Sequence, residues 1–150
     1  MIIRDATSSD FSAVMGLYRQ LQPNDPILTN GEDRSVYARI MSGEGLHLFV
    51  LEDSEQVKAT CYLNIIPNIT RSASPYAVIE NVVSDKAWRG RGFGRQIIGH
   101  ALEFAWSQGC YKVMLQTGSH RESTREFYSA CGFSGDDKHA FIAWQPGWKK

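Results

Sequence analysis

The passage from Ile79 to Arg95 constrains this chain most: an apolar run enters a basic turn interrupted by glycines and leaves it as a helix. Tyr76–Val83 is rich in strand formers, and Phe93 to about Ser107 carries apolar residues at helical spacing. Gly90, Gly92 and Gly94 alternate between the two. A strand that feeds a helix through so short a turn needs a sheet to join and a face for the helix to cover. The expected fold is therefore a mixed α/β domain. The 150 residues fit a single domain spanning 1–150. Hydrophobic residues at 43% against 21% charged supply a core and exclude disorder.

The rest of the chain supplies the other layers. Ile2 and Ile3 open a short strand, and Asp10 caps a helix carrying Val14, Leu17, Tyr18 and Leu21 on one face. Pro23 to Pro26 is a turn, and a second helix covers Arg34 to Met41. Leu46–Leu51 and Val57–Ile66 form a hairpin about Glu52–Glu55, followed by a polar loop over Pro67–Pro75. Beyond the long helix come a strand at Tyr111–Thr117, a helix over Glu122–Cys131, and two short strands near Phe133 and over Phe141–Trp144. This order describes a mixed central sheet and not a doubly wound one.

Several functions are disfavoured at once. Lys plus Arg and Asp plus Glu both number 16, so a nucleic-acid partner has no basic excess to meet it. No apolar run reaches the roughly 18 residues of a membrane span. The opening Met-Ile-Ile-Arg-Asp lacks the order of a signal peptide, so a cytoplasmic location is expected. Cys61, Cys110 and Cys131 include no C-x-x-C pair. His47, His100 (on the exposed side of the long helix), His120 and His139 have no ligand spacing, so no metal is expected. Lys149 and Lys150 read as a solvated tail.

The turn itself is built for an anion. Alternating glycines let a ligand approach the backbone, and the helix start offers free N–H groups on its positive end. Lys86, Arg89, Arg91 and Arg95 surround one acid, Asp85. Phosphate is the natural guest. A P-loop requires Gly-Lys-Ser/Thr, but Gly94 is followed by Arg95-Gln96; glycines at 90, 92 and 94 also miss the dinucleotide spacing. Just upstream, Glu80 stands mid-strand between Ile79 and Val82. Burial there would raise its pKa toward that of a useful base; the other reading is a strand carboxylate paired with a neighbouring cation.

Arg89-Gly90-Arg91-Gly92-Phe93-Gly94, together with Phe127-Tyr128-Ser129-Ala130-Cys131-Gly132-Phe133, resembles the GNAT (GCN5-related N-acetyltransferase) superfamily. The resemblance covers nearly the whole chain. It implies a central, mostly antiparallel sheet of about seven strands flanked by about four helices. It implies acetyl-CoA as cosubstrate, its pyrophosphate on the backbone of Arg89, Gly90, Arg91, Gly92, Phe93 and Gly94, with Arg91 and Arg95 as helpers. Its pantetheine arm would lie beside Val82 and Val83, with the acetyl carbonyl polarised near Val82. The resemblance implies that Tyr128 protonates the leaving thiolate, the alternative being a core aromatic. Arg121 stands where many relatives carry an Asn that contacts the cofactor arm, and is taken as a candidate contact.

Among GNAT proteins, Gly109-Cys110-Tyr111-Lys112 and the Tyr128 to Phe133 stretch look like glucosamine-6-phosphate N-acetyltransferases, and Arg121 like aminoalkylphosphonate N-acetyltransferases. The expected activity is direct transfer of acetyl from acetyl-CoA to the primary amine of a small molecule, without metal, by a protein that is commonly a homodimer among relatives. Two alternatives stand: a non-catalytic acyl-CoA-binding or sensing domain, and a protein or peptide N-acetyltransferase. Gln22–Gly45 and Asn68–Ser74 are free to shape the acceptor pocket. Arg34, Arg71, Arg121 and Arg125 are its candidate anion contacts.

Overall fold

The strand-forming runs pair in the order in which they occur. In the computed structural model, which describes residues 1–148, β1 (Ile2–Asp5), β2 (Leu46–Asp53), β3 (Gln56–Ile66) and β4 (Tyr76–Ser84) form an antiparallel series. β5 (Val113–Leu115) joins β4 in parallel, and the sheet order is β1-β2-β3-β4-β5. Lys149 and Lys150, read above as a tail, lie outside the described residues.

Both faces of the sheet are covered, so its central strands are apolar on both sides. On one face, α1 (Phe11–Leu21) and α2 (Glu32–Ser42) pack Phe11, Val14 and Tyr37 against Ala6, Leu48 and Val50. On the other face lies α4 (Phe93–Ser107), whose Ile97 carbonyl meets the Cys61 thiol at 3.8 Å. Phe49 points the same way and meets Phe104 edge-on at 5.4 Å. His100, expected on the exposed side of this helix, packs edge-on to Phe49 at 4.7 Å instead, so the apolar face of α4 is wider than its spacing implied. The intervening α3 (Thr70–Ala73) is one left-handed turn, with φ of 57°, 58° and 59° at Arg71, Ser72 and Ala73.

The chain divides into two compact units, Met1–Leu115 and Gln116–Lys150. The second holds α5 (Glu122–Ala130) and irregular backbone after it. The strands expected near Phe133 and over Phe141–Trp144 do not form among the described residues, so the sheet has five strands rather than about seven. Alternating apolar residues make a strand only where an edge accepts them; Phe141 is 95% exposed. β5 is also shorter than Tyr111–Thr117. The Tyr111 N–H is already committed to the Pro75 carbonyl, at 2.9 Å.

One ion-pair network ties the first unit together. Arg4 of β1 grips Asp10 through both guanidinium nitrogens, at 2.7 and 3.0 Å, and reaches Glu52 of β2 at 2.7 Å. Asp10 also accepts from the Thr7 N–H (2.7 Å) and hydroxyl (2.9 Å), closing the entry to α1. The Arg4 bonds hold the buried Asp10 carboxyl down at about 2. A carboxyl depressed in the folded state adds stability above its unfolded pKa and loses it as pH falls through its folded one. Asp10→Asn is therefore expected to cost about 1–2 kcal/mol at pH 7. In urea titrations, the gap from the parent protein should close as pH falls from about 4 to about 2.

Candidate active site

β4 carries the site because of how it is paired. Against β3 it runs its full length, but against β5 it is bonded only over Ala77, Val78 and Ile79. From Glu80 to Ser84 the edge facing β5 is therefore open, and backbone groups of Val82 and Val83 lie on this stretch. The stretch is also bulged: Thr60 faces Val83 and Tyr62 faces Glu80, which leaves one extra residue in β4. That bulge holds Asn81 at φ 51°, a left-handed conformation that Asn tolerates better than most residues. Its side chain interacts with the Tyr18 hydroxyl. Burial keeps the Tyr18 phenol strongly protonated.

Past β4 the chain makes a single tight turn over Lys86–Trp88, in which the Asp85 carboxylate accepts the Ala87 N–H at 2.9 Å. Gly90 and Gly92 follow at φ 78° and 80°. A Cβ at Gly90 would meet nothing within 4 Å, and one at Gly92 only the end of the Gln96 side chain. Crowding therefore does not explain these glycines; their backbone angles do, and the space before them stays open. Gly92 caps α4 without a side chain, and its carbonyl accepts the Gln96 N–H at 3.0 Å. Among the described residues, no hydrogen bond uses the backbone N–H groups of 89–95. Arg89, Arg91 and Arg95 are exposed around them, and none of the three forms an ion pair there. Free amides, a helix N-terminus and unpaired guanidinium groups fit a diphosphate.

Glu80 is exposed, so the desolvation expected of it is not present in the chain alone. It faces Tyr62, whose ring packs against the α1–α2 core, so Glu80 is on that face of the sheet. Tyr76 and Val78 share the face by alternation, and Tyr76 is about 13 Å from Glu80 along the strand. Beside Tyr76, the Lys112 ammonium is 5.3 Å from its ring and 5.5 Å from that of Tyr111. Arg71 approaches the Tyr111 ring at 6.0 Å. Neither cation has an acid partner among the described residues. Of the other expected anion contacts, Arg34 covers the Phe11 ring at 4.2 Å and Arg125 is held by Asp136 at 2.7 Å.

In the second unit, Tyr128 is set by the way α5 ends. Gly132 turns left-handed at φ 93°, its N–H returns to Ser129, and the Phe133 N–H returns to Tyr128 at 3.1 Å. The Phe133 ring then meets the Tyr128 ring at 6.2 Å, with Phe127 on another side at 5.1 Å. The Gly132-Phe133 pair is thus a helix stop that fixes the Tyr128 ring. Desolvation raises the Tyr128 pKa above its ordinary value, with a smaller push from Cys131. Arg121 is exposed at the start of the same helix.

Two other features bear on the chemistry. Burial pushes the Cys61 thiol up to about 12 and raises Cys110, which makes both poor nucleophiles. A cleft of about 490 Å³ between α1 and the β2–β3 hairpin is lined by Asp10, Glu52, Glu55 and Asp85, the wrong sign for a phosphate.

Residues 14–133 match the model of the acetyltransferase (GNAT) family. The chain belongs to that family. It is 29% identical over 140 residues to glucosamine 6-phosphate N-acetyltransferase of Trypanosoma brucei brucei, covering 91% of this chain and 90% of the relative. A solved protein of Agrobacterium tumefaciens str. C58, described as a candidate acetyltransferase, is 43% identical with a TM-score of 0.92, covering 97% of this chain and all (100%) of that one. The crystal structure of glucosamine-6-phosphate N-acetyltransferase from Arabidopsis thaliana is 26% identical with a TM-score of 0.82, covering 96% and 98%. As a GNAT protein of this kind, the chain is an N-acetyltransferase.

Sequence reasoning passed over Lys58, Lys112 and the Tyr18–Asn81 contact. Lys58 had a visible signal, being the charged residue inside the apolar run Val57–Ile66. Asn81 had none, because a bulge depends on the partner strand. The glycine geometry has a measurable consequence. Gly92→Ala forces a Cβ into the left-handed region and should cost about 1 kcal/mol. Gly99→Ala, inside α4 with open space around it, should stabilise by about 0.5–1 kcal/mol. Urea denaturation of the two variants should move the midpoint in opposite directions.

Proposed function

We propose that residues 1–150 act as one acetyl-CoA-dependent domain that acetylates the primary amine of a small molecule carrying a phosphate or phosphonate, an amino sugar phosphate foremost. The observation that carries the reading is the open β4 edge leading directly into free loop amides and unpaired arginines. An arm with amide groups adds to such an edge by backbone pairing, and its diphosphate reaches the loop at the end of the same strand. In this reading Val82 and Val83 take the arm, Arg89 to Arg95 take the diphosphate, and Arg121 is a further contact.

Acetyl-CoA supplies the acetyl thioester. Glu80 receives the proton that the acceptor ammonium must lose before its nitrogen attacks the carbonyl carbon. An acceptor seated over Glu80 would exclude water there and supply the burial that the free protein lacks. As the N–C bond forms and the C–S bond breaks, Tyr128 gives its proton to the departing sulfur and is restored by the second proton that the new amide nitrogen sheds; its raised pKa keeps the proton in place beforehand. The inert thiols of Cys61 and Cys110 favour direct transfer over an acyl-enzyme.

Lys112 lies against Tyr76, on the Glu80 side of β4, and shares the Tyr111 ring with Arg71; the two cations suit the anionic end of the acceptor. The relatives named glucosamine 6-phosphate N-acetyltransferase support the same substrate class. The reading includes a cytoplasmic homodimer; exposed Phe141, Ile142 and Trp148 favour burial against a second copy. No described helix is long and apolar enough to cross a membrane.

Thiol release during turnover tests these roles. Tyr128→Phe is expected to lower kcat about a hundredfold with the acetyl-CoA Kd unchanged. In the parent protein, kcat should show no tyrosine-dependent fall below about pH 10, because the acid is lost only above its raised pKa. An unchanged kcat in Tyr128→Phe would remove the residue from the mechanism. The double change Arg71→Ala and Lys112→Ala should raise KM about tenfold for glucosamine 6-phosphate and leave glucosamine unaffected. Faster turnover of peptides than of any small amine would favour a protein substrate instead.

A further inference from the structure

Lys58 is 3% exposed, yet its ammonium has no carboxylate within ion-pair distance among the described residues. The sheet directs it there. Leu51 pairs with Ala59 and Glu52 with Val57, so Lys58 is the extra residue of a bulge in β3. The ammonium donates to the Gln56 side-chain carbonyl and sits 3.7 Å from the centre of the Trp88 ring. Asp85 is its neighbour across the sheet, through an N–H bonded to the Lys58 carbonyl at 2.8 Å. The Asp85 carboxylate, however, turns to the Ala87 N–H.

A buried cation without an acid is costly, and an aromatic face returns only part of that cost. A methionine of similar length would fill the space without it. What distinguishes the place is its neighbour: Trp88 is the last residue before Arg89-Gly90, and the Arg91 guanidinium lies against the same ring at 4.4 Å. Two cations on one indole repel each other, and the repulsion is relieved when an anion arrives beside them. The diphosphate assigned to the loop amides is such an anion.

We propose that Lys58 is a positioning residue of the cofactor loop: it fixes the Trp88 ring on which Arg91 lies and adds its charge beside the loop, and the diphosphate of acetyl-CoA relieves the repulsion between the two cations. This rests on the acetyl-CoA reading above. The lysine then exchanges stability of the free protein for affinity, so the two quantities should move in opposite directions when it is neutralised.

Calorimetric titration of acetyl-CoA into the full-length parent protein, Lys58→Met and Lys58→Arg, with thermal melts of each without ligand, tests the proposal. Lys58→Met should bind about tenfold more weakly while melting at the same or a higher temperature. Lys58→Arg, which keeps the charge on the ring, should recover binding to within about threefold of the parent. An unchanged Kd in Lys58→Met overturns the proposal. So does a loss of affinity that comes with a lower melting temperature and is not rescued by Lys58→Arg, since that marks a structural lysine. A folded parent protein that binds no acetyl-CoA overturns the cofactor reading and this proposal together.

Discussion

The parallel pairing of β4 with β5 stops after Ile79, and the candidate site residues of β4 follow that end point. Up to Ile79 the strand is bonded on both sides and its residues alternate as a central strand should. Beyond it, β4 keeps β3 on one side and exposes the other edge, which is where a sheet can take another extended chain. A bulge at the same place breaks the alternation, so Glu80 to Ser84 differ from the strand before them in both hydrogen bonding and direction. The strain is local: Asn81 sits in the left-handed region, held from α1 by Tyr18. Ending one strand pair early thus leaves an open strand edge, the one to which the proposed function assigns the arm of acetyl-CoA.

That arrangement demands rigid support elsewhere, and the Arg4–Asp10–Glu52 network is part of it. Arg4 joins the edge strand, the entry of α1 and β2 by bonds of 2.7–3.0 Å. α1 in turn carries Tyr18 to Asn81 and Gln20 to the Lys86 N–H, at 2.9 Å. The same helix therefore touches the bulge and the start of the loop. Packing on one face of the sheet is coupled to the geometry of the strand that carries Glu80 and Val82.

What the sequence revealed follows from the range of the forces involved. α4 was legible to its last residue because helix periodicity and the glycine turn are both local signals. The left-handed turn at Gly90 and Gly92 was legible for the same reason, since φ above zero selects glycine whatever the rest of the fold does. Phe133 read as a strand residue, but Gly132 before it makes a left-handed helix stop that aims its ring back at Tyr128. Phe141–Trp144 has the alternation of a strand without an edge to pair with, and alternation alone cannot supply one. Glu80 read as a desolvated carboxylate because its neighbours are apolar, yet the open half of β4 leaves it in water. Lys58 was visible as a charge inside an apolar run, but its burial was not, because only the register of β2 shows the bulge that redirects it.

The zero net charge conceals a division of labour among the cations. Arg4 and Arg125 are spent on carboxylates, at Asp10 and Glu52 and at Asp136, and these pairs organise structure. Lys58, Arg91, Arg71 and Lys112 have no such partners among the described residues and rest on aromatic rings instead. An aromatic face orients a cation without cancelling its charge, whereas a carboxylate does both. Arg34 rests on Phe11 in the same way, while these four fall at two places, the glycine loop and the Tyr76–Tyr111 ring pair. The proposed reaction, between an anionic cosubstrate and an anionic acceptor, brings two negative ligands to one strand. Under the proposed function, cations fixed by rings give each ligand a positive partner that no protein carboxylate has already neutralised.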